Sequence, residues 1–119
     1  MVSKTKRQMG LTLILTGLLH TIVGLFVFME QLEPLFTEGL WNTVKDGQFE
    51  RGAAFWFMMF GFLLMIVGYL ADWLMKRKEI APPAAFGWMI LIICVIGVIF
   101  MPNSGFWLGI PQGVILLRM

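Results

Sequence analysis

The sequence has one cysteine and one histidine in 119 residues. Cys94 alone makes no internal disulfide, and one His with one Cys makes no conventional metal site. A haem ligated by two histidines is excluded within a single chain. No P-loop, no GxGxxG in a strand-to-helix setting and no Ser-His-Asp arrangement occurs. The chain therefore leans away from being an enzyme, and no cofactor can be named. Charge is scarce as well. Asp, Glu, Lys and Arg make up 13% of the residues, about half the usual share, and they cluster in short stretches. Most of the basic residues flank apolar runs, so the net charge of +2 gives no reason to expect a nucleic-acid partner.

What remains is apolar. The hydrophobic fraction is 59% and the mean hydropathy +0.84, more than a soluble domain of this size buries. The length allows one domain. A bilayer core about 30 Å thick is crossed by roughly 20 helical residues. On that basis the sequence predicts spans at about 9–29, 53–73, 84–101 and 103–118, with 30–52 as the one long external loop. The first run resembles a signal peptide's opening, but its length and the lack of a small-residue cleavage site make it a retained anchor. The third begins after Pro82-Pro83 and ends at Pro102-Asn103-Ser104-Gly105. The fourth is the weak one: its apolar part, Phe106–Leu117, is about 12 residues, so it crosses only if the helix starts near Pro102. The alternative is three spans plus a re-entrant or tilted segment.

Charge gives the direction. Lys4, Lys6, Arg7, Lys76, Arg77, Lys78 and Arg118 fall on one side. Lys45 and Arg51 fall on the other, among Glu30, Glu33, Glu38, Asp46 and Glu50. The positive-inside rule puts both termini in the cytoplasm. Trp41, Trp73, Trp88 and Trp107 sit near span ends, as an aromatic belt would. In the external loop, Pro34 suits a helix's first turn. Leu35, Phe36, Leu40, Trp41 and Val44 form an apolar face, predicting a short amphipathic helix on the outer surface. The expected fold is all-α: an integral membrane four-helix antiparallel bundle.

Glycines recur at helical spacing: Gly10, Gly17 and Gly24; Ala54, Gly61 and Gly68; Gly105, Gly109 and Gly113. Small stripes let helices approach closely in lipid. The first two predict packing within the bundle, and the third is also a candidate homodimer face.

Polar groups at membrane depth point inward or to a partner. His20 lies between Gly17 and Gly24 on the packed face, with Thr16 one turn away, and is expected to hydrogen-bond Gln112 or a threonine, or to touch ligand. Gln112 follows Pro111, which frees the Trp107 carbonyl. Arg51 opens the second span, where the helix dipole disfavours a cation, so Glu30 or Glu50 is expected beside it, with Phe55, Trp56 and Phe57 just inward. Asp72 is expected to pair with Lys76. The candidate ligand-binding set is thus His20, Gln112, Arg51, Glu30, Trp56, Thr16 and Trp107. There is no catalytic or metal set.

Three stretches, Gly17–Gly24 around His20, Arg51–Phe57 with Gly61, and Pro102–Leu108 with Pro111, resemble small bacterial four-span membrane proteins that are loosely DoxX-like. That resemblance implies a left-handed four-helix membrane bundle in the bacterial inner membrane. Its members are described as quinone-linked redox subunits or as accessory proteins. The leading expectation is a protein that binds or passes a small, largely apolar molecule in an outward-facing pocket within the bundle. The alternatives are a membrane oxidoreductase or quinone-site accessory subunit, and an assembly helper for a larger membrane protein.

Overall fold

From Met9 to Phe28 the chain has no formally charged residue, and nothing in that run interrupts a helix. In the computed structural model, which describes residues 2–118, it forms α2 (Met9–Val27). Before it stands a single turn, α1 (Lys4–Arg7), capped by the Ser3 hydroxyl accepting from the Lys6 amide. Phe28 breaks the helix, and α3 (Met29–Thr37) follows. After the 38–48 loop comes the longest element, α4 (Phe49–Arg77). Pro83 caps α5 (Ala84–Phe100). A 3₁₀ turn over Gly105–Leu108 then leads into α6 (Gly109–Leu117). All regular structure among the described residues is helical.

The glycine stripes decide the pairing. α2 and α4 run antiparallel with their backbones nearly touching. A Cβ on Gly68 would stand 2.7 Å from the Ile14 amide nitrogen and 2.9 Å from the Gly10 carbonyl oxygen. One on Gly17 would stand 2.8 Å from the Gly61 carbonyl oxygen. Gly10 abuts the Asp72 backbone, and Asp72 pairs with Lys76 at 2.7 Å. α5 and α6 form a second hairpin, in which Gly87 meets Leu117, Gly113 meets Leu91 and Gly109 meets Cys94. Two of the three glycines expected at a homodimer face are therefore covered by α5, and only Gly105 looks onto open space.

The hairpins meet chiefly where α6 touches α2. A cluster of Val2, Met9, Ala71, Met75 and Leu116 closes this junction at one end. No packed seam joins α4 to α5 among the described residues. The arrangement is two glycine-locked hairpins side by side, more open than the predicted compact bundle, because α6 commits its small face to α5.

At about 1.5 Å per residue, α2 and α4 are roughly 28 and 43 Å long, α5 about 25 Å, and α6 with its 3₁₀ turn shorter still. Two helices, Lys4–Val27 and Phe49–Arg77, are long and apolar enough to cross a membrane. Only 22% and 17% of their apolar windows are buried, so most of that surface faces outward instead of into a protein core. The up-down-up-down order gathers Lys4, Lys6, Arg7, Lys76, Arg77, Lys78 and Arg118 at one end, where Arg7 pairs with Glu79 at 3.0 Å.

The loop helix differs from expectation in position. α3 starts at Met29, not at Pro34, which sits inside it. The reason is continuity: Phe28 bends the chain without stopping it, so α3 is a continuation of the first run. Leu32 and Leu35 turn inward onto Ala54 and Met58, with Val44 against them. Leu40 and Trp41, expected on the apolar face, lie in the following turn and are exposed.

Candidate functional site

α2 presents its small-residue face to α4, and His20 lies on that face. Its ring stacks on Phe57 with centroids 3.7 Å apart, and Phe60 meets it edge-on at 5.1 Å. The His20 Nε2–H donates to the Phe57 backbone carbonyl at 2.9 Å. The expected partner, Gln112 or a threonine, is thus replaced by an α4 carbonyl. Because Nε2 carries the hydrogen, Nδ1 is an acceptor, and no donor meets it among the described residues.

Gln112 lies one turn away. It is 8% exposed, and its Nε2 donates to the Thr16 hydroxyl at 2.9 Å. Thr16 spends its own hydrogen on the Thr12 carbonyl at 2.7 Å, so it can only accept from Gln112. That fixes the amide orientation and leaves Gln112 Oε1 buried without a partner. Pro111, expected to kink the fourth helix from within, falls in the first turn of α6 just after the 3₁₀ segment, where a missing N–H costs little. Across the same seam Phe60 reaches Phe106 at 6.5 Å. His20, Thr16, Gln112, Phe60 and Phe106 together line the junction between the hairpins.

The other candidates lie apart from this junction. At the outer end Arg51 grips Glu38 with both guanidinium nitrogens, at 3.1 and 2.7 Å, and donates to the Thr43 carbonyl at 2.9 Å. The partner is therefore Glu38, not Glu30 or Glu50. The loop folds back through Gly39, Leu40 and Asn42, all at positive φ, and so brings Glu38 closer than its neighbours in sequence. Arg51 holds the Glu38 carboxyl below the usual carboxylate range, first by these hydrogen bonds. Glu30 is exposed in the first turn of α3. Trp56 is 66% exposed and borders a shallow outer hollow of about 440 Å³ with Val44 and Phe49. Trp107, also exposed, donates its indole N–H to the Pro102 carbonyl at 2.8 Å. A second hollow opens at the basic end. Neither hollow is lined by His20, Thr16 or Gln112.

The seven candidates therefore separate into a junction trio (His20, Thr16, Gln112), an outer clasp built on Arg51, and three exposed residues. Sequence reasoning missed Glu38, Thr43 and the aromatic bridge from Phe60 to Phe106, because each depends on how loops and hairpins fold back. Among the described residues no three His, Cys, Asp or Glu side chains gather as metal ligands.

No curated protein and no solved structure matches the chain. A family model does, over residues 4–119, and on that match the chain belongs to a family of unknown function, DUF6463.

Proposed function

We propose that this chain is a multi-pass protein of the bacterial cytoplasmic membrane, both termini inside, that binds a small, largely apolar molecule at the junction between its hairpins. The membrane part of the reading draws on the outward-facing apolar helices and on the segregation of seven cations to one end. α5 and α6 complete the four crossings, with α6 short enough to require local thinning of the bilayer. The loosely DoxX-like motifs are consistent with such a protein.

The observation that carries the binding reading is Gln112 Oε1, buried with no donor. An orphaned buried acceptor costs about 1–3 kcal/mol, and a ligand hydroxyl or N–H relieves that cost. His20 Nδ1, one turn of α2 from Thr16, is a second acceptor without a donor, on a side chain that is only half-buried. The junction thus calls for a molecule that is apolar in body and donates hydrogen bonds. A second reading, a quinone-site accessory subunit, draws on the same atoms: a quinol's hydroxyls suit them, whereas a quinone's carbonyls do not. A helper that docks on a larger membrane protein is favoured by the open flank between α4 and α5.

Native mass spectrometry of the detergent-purified protein and of Gln112→Leu tests the binding reading. The wild type should carry a small hydroxyl-bearing molecule. The variant should lose it while folding as stably or more so, since an apolar isostere removes the orphan. A bound molecule that stays on the variant would end the proposal. A quinol in the extract of the wild type alone would select the second reading.

A further inference from the structure

Lys6 is the most covered Lys or Arg side chain among the described residues, 8% exposed as a residue. It lines a hollow of about 470 Å³ at the basic end, together with Ser3, Pro82, Ala84, Leu116 and Leu117. Among the described residues no acidic side chain pairs with it. Of the seven carboxylate residues, Glu30, Glu33, Glu38, Asp46 and Glu50 belong to the opposite end. The remaining two are engaged elsewhere, Asp72 with Lys76 at 2.7 Å and Glu79 with Arg7 at 3.0 Å. The walls around it are mostly apolar: a proline ring, an alanine methyl and two leucines. The Ser3 hydroxyl, which accepts from the Lys6 amide at 3.2 Å, still has a hydrogen to donate.

A lysine with a covered stem, a hydroxyl donor and apolar walls match a phosphate joined to hydrocarbon. We propose that this hollow binds the phosphate headgroup of an anionic lipid, with Lys6 pairing the phosphate and Pro82, Leu116 and Leu117 covering the start of its acyl chains. The site rests on the membrane reading, which puts this end at the cytoplasmic surface, but it is independent of the Gln112 junction. Bound lipid would tie α1 and the 78–83 loop to the end of α6, adding to the cluster that already closes the two hairpins at this end.

The test is lipid titration of the purified full chain, followed by native mass spectrometry and thermal unfolding, with phosphatidylglycerol, phosphatidylcholine and inorganic phosphate as separate probes. Phosphatidylglycerol should bind and raise the unfolding temperature. Lys6→Gln should weaken that binding about tenfold or more, Lys6→Arg should restore most of it, and Lys78→Gln, an exposed cation at the same end, should leave it within about twofold. Equal losses in Lys6→Gln and Lys78→Gln would reduce the effect to diffuse surface charge and overturn the site. Protection by inorganic phosphate at the strength of the lipid would overturn the lipid assignment. Retention of the protein in carbonate-washed vesicles reports on the membrane reading separately, so lost lipid selectivity with intact insertion counts against Lys6 alone.

Discussion

His20 and Phe57 are joined twice, ring over ring at 3.7 Å and Nε2–H to backbone carbonyl at 2.9 Å. The two contacts separate by substitution. His20→Phe keeps the stack and gives up the hydrogen bond, which in membrane bundles is worth about 0.6 kcal/mol on average. His20→Ala gives up both, adding about 0.5–1.5 kcal/mol for the aromatic pair and the cost of the space left behind. Unfolding of the two variants in mixed micelles should show the alanine form at least twice as destabilised. Equal destabilisation would mean that the stack contributes nothing, leaving the hydrogen bond or a bound molecule as the role of His20.

The glycines divide by what a methyl group would strike. Gly68→Ala drives a Cβ against the Ile14 amide and the Gly10 carbonyl at once. Neither backbone yields without parting α2 from α4, so a loss of about 1–3 kcal/mol or failure to form the hairpin is expected. Gly105→Ala and Gly52→Ala meet nothing within 4 Å. Both should stay within about 0.5 kcal/mol of wild type or, for Gly52 in its helix, gain slightly. Retention of a folded band in mild detergent, with its thermal midpoint, measures all three. A change of oligomeric state in Gly105→Ala alone would show that Gly105 serves contact between copies.

What the sequence made legible follows from which interactions are local. Apolar run lengths and the Pro82-Pro83 and Pro102–Gly105 breakers locate the helices to within a few residues, since backbone bonding in a helix is satisfied within the segment. Heptad-spaced glycines marked the α2–α4 contact for the same reason: face and spacing belong to single helices. Partners across the fold were another matter. Arg51 selects Glu38 over Glu30 and Glu50 only because Leu40 and Asn42 adopt positive φ, a turn that no neighbouring residue announces. Gln112 is an expected partner of His20, yet a place within the membrane does not fix azimuth: His20 faces α4, and Gln112 meets Thr16 on the neighbouring turn of α2. Lys6 read as one basic residue among several, since its burial depends on α1 folding against α6.

The Arg51–Glu38 clasp fixes how the outer loop responds to acid. Direct hydrogen bonding by Arg51 lowers the Glu38 pKa from its ordinary value of 4.5, so the closed loop binds fewer protons than the open one as pH approaches that value. Closure is therefore fully supported at neutral pH and down to the ordinary carboxylate range. The support is lost only as pH falls through the lower value in the folded protein. Amide hydrogen exchange over 38–48, corrected for intrinsic rates, should stay protected from pH 7 to about 5 and open below about pH 4. Glu38→Gln removes the titrating group and weakens the clasp, so its loop should exchange faster at pH 7 and show little further change in acid. A wild-type loop that opened near pH 6, or one whose profile matched Glu38→Gln, would mean that some other group holds it shut.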